Sequence, residues 1–219
     1  MKKFKAAIFD MDGTLLDTMY IWRHLSLEYL KQHSIPFPEE MIRSMQILGI
    51  NNAADFLINT FDIALSHEEM LQELINILAG YYRYQADFKP GAVNFLQKLN
   101  DRNIPTMVFS ATPEHLLSLA LKRLDAEKYF SHGLLSCDTV KSSKHHPEAF
   151  FSAAEHFGYA PDDIMIFEDA WYAASTAKKA GFTLGIIADR EEKRTAEMRL
   201  LADFYVEKSW DEFPLDRFF

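Results

Sequence analysis

Ala6-Ala7-Ile8-Phe9-Asp10-Met11-Asp12-Gly13-Thr14 is the stretch on which the reading of this chain turns. Ala6 to Phe9 is a short apolar run, the pattern of a strand buried on both faces. It stops at two carboxylates one residue apart. Alternate residues of an extended chain share a face, so Asp10 and Asp12 can converge on one point. Gly13 permits a sharp turn and close approach of the backbone to a ligand. Thr14 adds a hydroxyl and another backbone donor. Two carboxylates gathered at a strand end call for a bound cation, and Mg²⁺ is the usual one. A carboxylate can also attack phosphorus. Taken alone, the same residues are ordinary turn chemistry, because Asp and Gly both favour turns.

Working outward, the pattern after Thr14 becomes helical. Tyr20 to Lys31 reads as an amphipathic helix, ended by Pro36 and Pro38. Glu39 to Leu48 reads as a second, broken by Gly49-Ile50-Asn51-Asn52, and Ala53 to Phe61 as a third. Ser66-His67-Glu68-Glu69 has capping-box spacing ahead of Met70, Leu71, Leu74, Ile75 and Leu78. From Pro90 strand and helix alternate. Strands are expected at Pro105 to Phe109, Gly133 to Ser136, Ile164 to Phe167, Thr183 to Ile187 and Phe204 to Val206. Helices are expected at Gly91 to Asn100, Pro113 to Leu124, Pro147 to Phe157, Ala173 to Ala180 and Glu192 to Ala202. Alternation of this kind means an α/β fold, a parallel sheet covered by helices on both faces. The expected organisation is an α/β core of 1–15 and 88–219, with an all-α insert of 16–87.

The chain has 219 residues, 48% of them hydrophobic, enough for a real core. Its net charge of −9 argues against a general nucleic-acid or anionic-membrane binder, though not against one small phosphorylated ligand. Cys137 is the only cysteine, so no intrachain disulfide forms and a reducing, cytoplasmic setting is expected. Lys2, Lys3 and Lys5 resemble the start of a signal peptide, but the apolar run behind them ends at Asp10. No run approaches the ~18 apolar residues of a membrane span. No obligate protein partner is inferred.

Ligands of open parallel sheets bind at the carboxyl ends of the strands. There the first strand offers Asp10 and Asp12, the second Ser110 with Ala111-Thr112-Pro113, and the fourth Glu168 and Asp169. Lys144 precedes the helix opened by Pro147. Each has a bland alternative: a solvated lysine, a capping serine, acids that cap a helix. Together, acids for Mg²⁺, a hydroxyl at a helix start and a lysine are the parts that phosphoryl transfer requires.

In these motifs the chain resembles the haloacid dehalogenase superfamily, in its branch of phosphatases and phosphomutases with a helical cap. The first motif is Asp10 to Thr14 and the second Ser110. The third is Lys144-His145-His146-Pro147-Glu148-Ala149-Phe150, and the fourth Phe167-Glu168-Asp169. Four motifs in the family's order are far more specific than any one. The resemblance implies a Rossmann-like core and a phosphoaspartate formed on Asp10. It implies that Asp12 acts as acid and then base. Mg²⁺ is then held by Asp10, by the backbone carbonyl of Asp12, by Asp169, and by Glu168 directly or through water. The phosphate site is drawn from Gly13, Thr14, Ser110, Ala111 and Lys144, and Arg23 and Asn52 are candidate cap contacts with substrate. Ala111, His145, Ala170 and Ala173 depart from the residues many relatives carry, but none removes a group the chemistry needs.

The implied function is a Mg²⁺-dependent phosphatase of a small phosphorylated metabolite. The alternatives are a phosphomutase like β-phosphoglucomutase, or a non-catalytic phosphate-binding or receiver-like module. Receivers are much shorter and lack the helical insert, and retention of both Asp10 and Asp12 argues against a degenerate module. Against the mutase, Asn52 stands where a cap arginine is expected. The insert from Leu16 to Asp87 carries only Lys31, Arg23, Arg43 and Arg83 as lysines or arginines.

Overall fold

The computed structural model describes residues 3–46 and 48–219. Lys2, in the expected signal-like start, and Ile47, in the expected second helix, lie outside them. The chain divides into two compact units, Met1–Asp17 with Asp87–Phe219, and Thr18–Ala86.

The first unit opens with β1 (Ala6–Phe9), all four residues of which are buried. The chain then enters the helical unit through α1 (Met19–Gln32), a 3₁₀ turn at Glu39–Met41, α2 (Ile42–Met45), α3 (Ile50–Phe61) and α4 (His67–Tyr84). It returns through α5 (Ala92–Asp101), β2 (Thr106–Ser110), α6 (Glu114–Arg123), β3 (Leu134–Ser136), α7 (Cys137–Val140) and α8 (Pro147–Phe157). It ends with β4 (Ile164–Glu168), α9 (Trp171–Lys179), β5 (Thr183–Ile187), α10 (Thr195–Leu201), β6 (Phe204–Val206), a 3₁₀ turn at Trp210–Glu212 and α11 (Leu215–Phe218).

The strands form one sheet in the order β3-β2-β1-β4-β5-β6, every neighbouring pair parallel. Alternation along the strands divides the core. Ala6, Ile8, Met107, Ile166 and Ile186 pack with Ala153 and Phe157 of α8, Ala173 and Ala177 of α9, and Met198 of α10. On the other face Phe9 stacks on Phe167 at 4.8 Å between ring centres, with Phe95 of α5 and Trp210 against both. That stack sets the residue beside it. A Cβ on Gly185 would lie 2.4 Å from the Phe167 ring, so β5 carries no side chain there.

In the helical unit, Met70, Leu74, Leu78 and Tyr82 form one buried stripe on α4 at four-residue spacing. Ser66 caps this helix, accepting from the Glu69 amide while Glu69 accepts from the Ser66 amide, the reciprocal box its sequence predicts. The Trp22 indole N–H donates to the Tyr82 hydroxyl at 3.1 Å.

Three expectations change. The helix from Glu39 is a 3₁₀ turn followed by a short α-helix that ends at Met45. The break expected at Gly49 to Asn52 is shorter: Gly49 is extended at the N-cap of α3, and Ile50, Asn51 and Asn52 already belong to the first turn of that helix. The sheet unit keeps more of the chain than 1–15 and 88–219. Gly13 N–H donates to Leu16, Leu16 bridges Phe88, and Asp17 N–H donates to Asp87 at 2.9 Å. These bonds hold both crossings to the sheet unit. Among the described residues no helix is long and apolar enough to cross a membrane.

Candidate active site

Pairing register brings the sequence-predicted acids together. Phe9 lies opposite Phe167, so the next residues, Asp10 and Glu168, emerge side by side where β1 and β4 end. The Asp10 amide continues the ladder, donating to the Phe167 carbonyl at 2.9 Å. The order reverses at β1: β2 and β3 lie on one side of it and β4 to β6 on the other. That is where a doubly wound sheet opens a crevice.

Carboxylate oxygens of Asp10, Glu168 and Asp169 lie within 4.8 Å of one another, and all three residues are buried. Burial pushes the Asp10 carboxyl up to about 7, against the opposing pull of Lys144, and burial likewise raises Asp169 well above the carboxylate range. Hard oxygen donors crowded at this cost fit a hard divalent cation, which would stabilise their ionised forms. Lys144 offsets part of the charge. Its Nζ donates to Asp10 at 2.6 Å and to Glu168 at 2.7 Å, and it is 2% exposed. Burial opposes its charge, but the two carboxylates outweigh burial and hold it ionised. The Glu168 Oε2 accepts from the amides of Asp169 and Ala170, so both its oxygens are engaged.

Asp12 stands apart from this cluster. Its half-buried carboxylate accepts from the Thr112 hydroxyl at 2.6 Å. Gly13 has φ of 81°, a turn that a side chain resists, and it redirects the chain immediately after Asp12. The buried Thr14 hydroxyl donates to Asp169 at 3.0 Å. Ser110 is buried at the end of β2 and accepts from the Thr112 amide at 3.1 Å, and Ala111 is exposed beside it. Arg23 is half-buried on α1, and Asn52 is exposed on α3.

Sequence reasoning missed three supports. Thr112 orients Asp12. Lys89 pairs with Asp189 at 2.7 Å, both being nearly buried, and adds a cation whose field lowers Asp169. Trp210 Nε1 donates to the Thr14 carbonyl at 3.2 Å. Thr112 alone left a trace, a hydroxyl two residues past a strand end.

A model of the haloacid dehalogenase-like hydrolase family matches residues 4–181. The phosphorylated carbohydrates phosphatase of Thermotoga maritima is 26% identical over 177 residues, covering 81% of this chain and 82% of its own. The (DL)-glycerol-3-phosphatase 2 of Arabidopsis thaliana is 30% identical over 191 residues, covering 83% and 78%. Among solved structures, a Thermotoga maritima protein provisionally named β-phosphoglucomutase superposes with a TM-score of 0.79 at 24% identity, over 93% of this chain and 94% of its own. At that identity the likeness is one of fold.

Proposed function

The chain belongs to the haloacid dehalogenase-like hydrolases, as a phosphatase of small phosphorylated compounds, and we propose that it works through a phosphoaspartate on Asp10 with Mg²⁺. The observation that carries this reading is the buried gathering of Asp10, Glu168 and Asp169, with Lys144 bridging two of them.

Asp10 attacks phosphorus as the leaving oxygen departs, giving an acyl phosphate. Asp12, held by Thr112, gives that oxygen a proton and later takes one from the water that opens the acyl phosphate. Lys144, the Ser110 hydroxyl and the backbone at Gly13, Thr14 and Ala111 hold the phosphoryl oxygens. Asp10, Asp169, the Asp12 backbone carbonyl and Glu168, the last most readily through water, would hold Mg²⁺, which when bound neutralises charge on the phosphoryl group.

The test is release of inorganic phosphate from a panel of sugar phosphates, glycerol phosphates and nucleotides with Mg²⁺ present. Release from at least one is expected; none from any would overturn the reading. Water rather than a sugar hydroxyl is the acceptor. A mutase must hold a second phosphate, which asks for cations. In the helical unit Lys31 is paired with Glu28, and Arg83 lies over the Tyr84 ring. With β-glucose 1-phosphate and a trace of its 1,6-bisphosphate, phosphate release should outpace formation of glucose 6-phosphate. The reverse would establish the mutase.

Chelation by EDTA is expected to silence the enzyme and Mg²⁺ to restore it. Asp169→Ala is expected to raise the Mg²⁺ concentration for half-maximal rate by at least about tenfold, since one of few protein ligands is gone. An unchanged Mg²⁺ dependence would place the metal elsewhere.

A further inference from the structure

We propose that Trp210 is a positioning residue for Asp169, acting through Thr14, so that a turn near the end of the chain sets the aim of a metal-binding carboxylate. The proposal rests on the reading of Asp10, Glu168 and Asp169 as metal ligands.

Thr14 is used from both ends. Its hydroxyl donates to Asp169 Oδ1 at 3.0 Å, and its carbonyl accepts from Trp210 Nε1 at 3.2 Å. Thr14 is 0% exposed, Trp210 1% and Asp169 4%, so water has little access to replace either bond. The Trp210 backbone is fixed in turn, its amide donating to the Pro90 carbonyl at 2.9 Å. Its ring sits among Phe9, Phe95 and Phe167, and packing alone would account for an aromatic residue there. Packing does not account for the indole N–H, which a buried tryptophan must satisfy. Here it is satisfied by Thr14, whose side chain also holds Asp169. Trp210 also lies beyond residues 4–181, the span of the family match. Groups that hydrogen-bond a metal ligand fix its orientation and tune its affinity.

The experiment is Mg²⁺ titration of the full chain by calorimetry without substrate, together with the Mg²⁺ dependence of phosphate release. Thr14→Val keeps the shape and removes the hydroxyl, and is expected to weaken binding ~10–100-fold, with Thr14→Ser restoring it. Trp210→Phe keeps an aromatic ring and removes the donor. Acting one residue further out, it is expected to weaken binding about 3- to 10-fold, with kcat at saturating Mg²⁺ falling less than affinity does. The double variant should bind no more weakly than Thr14→Val alone, because the two substitutions break one chain of contacts. Wild-type binding by Trp210→Phe, or a full additional loss in the double variant, would overturn the proposal.

Protein labelled at its indole nitrogens repeats the test without substitution. The Trp210 N–H resonance should move along the Mg²⁺ binding curve, and a signal that stays still would equally overturn the proposal. If Asp169→Ala binds Mg²⁺ as the wild type does, the ligand assignment falls and this proposal with it. If Asp169→Ala loses binding while Trp210→Phe keeps it in full, only the role of Trp210 falls.

Discussion

Asp10→Asn is expected to lower phosphate release by on the order of 10⁴-fold or more, the scale on which losing a covalent nucleophile is felt. The amide has nearly the shape of the carboxylate and can still accept the Lys144 proton that Asp10 accepts at 2.6 Å. It cannot attack phosphorus, and it neutralises a cation poorly. The fold should survive. Burial pushes the folded-state carboxyl of Asp10 up to about 7, from 3.8. An acid whose folded value is raised destabilises the fold once pH exceeds its unfolded value, because the ionised form is the one burial penalises. A neutral amide removes that penalty at pH 7, so the melting temperature without metal should hold or rise. The assay is steady-state phosphate release with melting followed in parallel, and an acid-quench search for an acyl phosphate in the wild type. Substantial hydrolysis by pure variant would sink the nucleophile assignment. A lost fold would refute the account of the site's electrostatics.

Asp12→Ala ranks second. Positioned acid–base help is worth ~10²–10⁴ in rate, and the loss should be largest for an alkyl phosphate, whose leaving oxygen needs the proton most. With an aryl phosphate the first step needs less help, so the variant should be limited by hydrolysis of the acyl phosphate and accumulate it. The Thr112 hydroxyl at 2.6 Å fixes which way the Asp12 carboxylate faces. A loss below about tenfold with an alkyl phosphate would contradict the acid–base role.

The sheet was legible because each strand is a short apolar run punctuated by Pro, Gly or a polar turn. Pro147 and Gly158 bracket α8 at the expected bounds, and β5 and β6 also fall where the pattern puts them. Helix ends governed by distant partners were not. The Glu192 carboxylate accepts from the amides of Trp171 and Arg194, which ties residue 192 to the start of α9 and leaves α10 to begin at Thr195. Of the candidate site, the charged residues could be picked out because acids and a lysine at the strand ends are the pattern that phosphoryl transfer asks for. Their supports could not: Thr112 with Asp12, Lys89 with Asp189 and Trp210 with Thr14 join residues far apart in the chain, which leave no period to read. Asn52 misled because two asparagines close behind a glycine read as a break, whereas Asn51 and Asn52 wind the opening turn of α3.

The bond from the Asp17 amide to the Asp87 carbonyl has an architectural consequence. It pinches together the two points where the chain leaves and rejoins the sheet unit, so that unit closes its own seam. With the seam shut by the sheet unit's own bonds, residues 18–86 are expected to tolerate replacement as a block. A chain in which residues 18–86 are replaced by a short Gly-Ser turn is expected to keep the circular-dichroism signature of the α/β unit and to melt cooperatively. Loss of cooperativity would mean that the seam needs that block to stay closed.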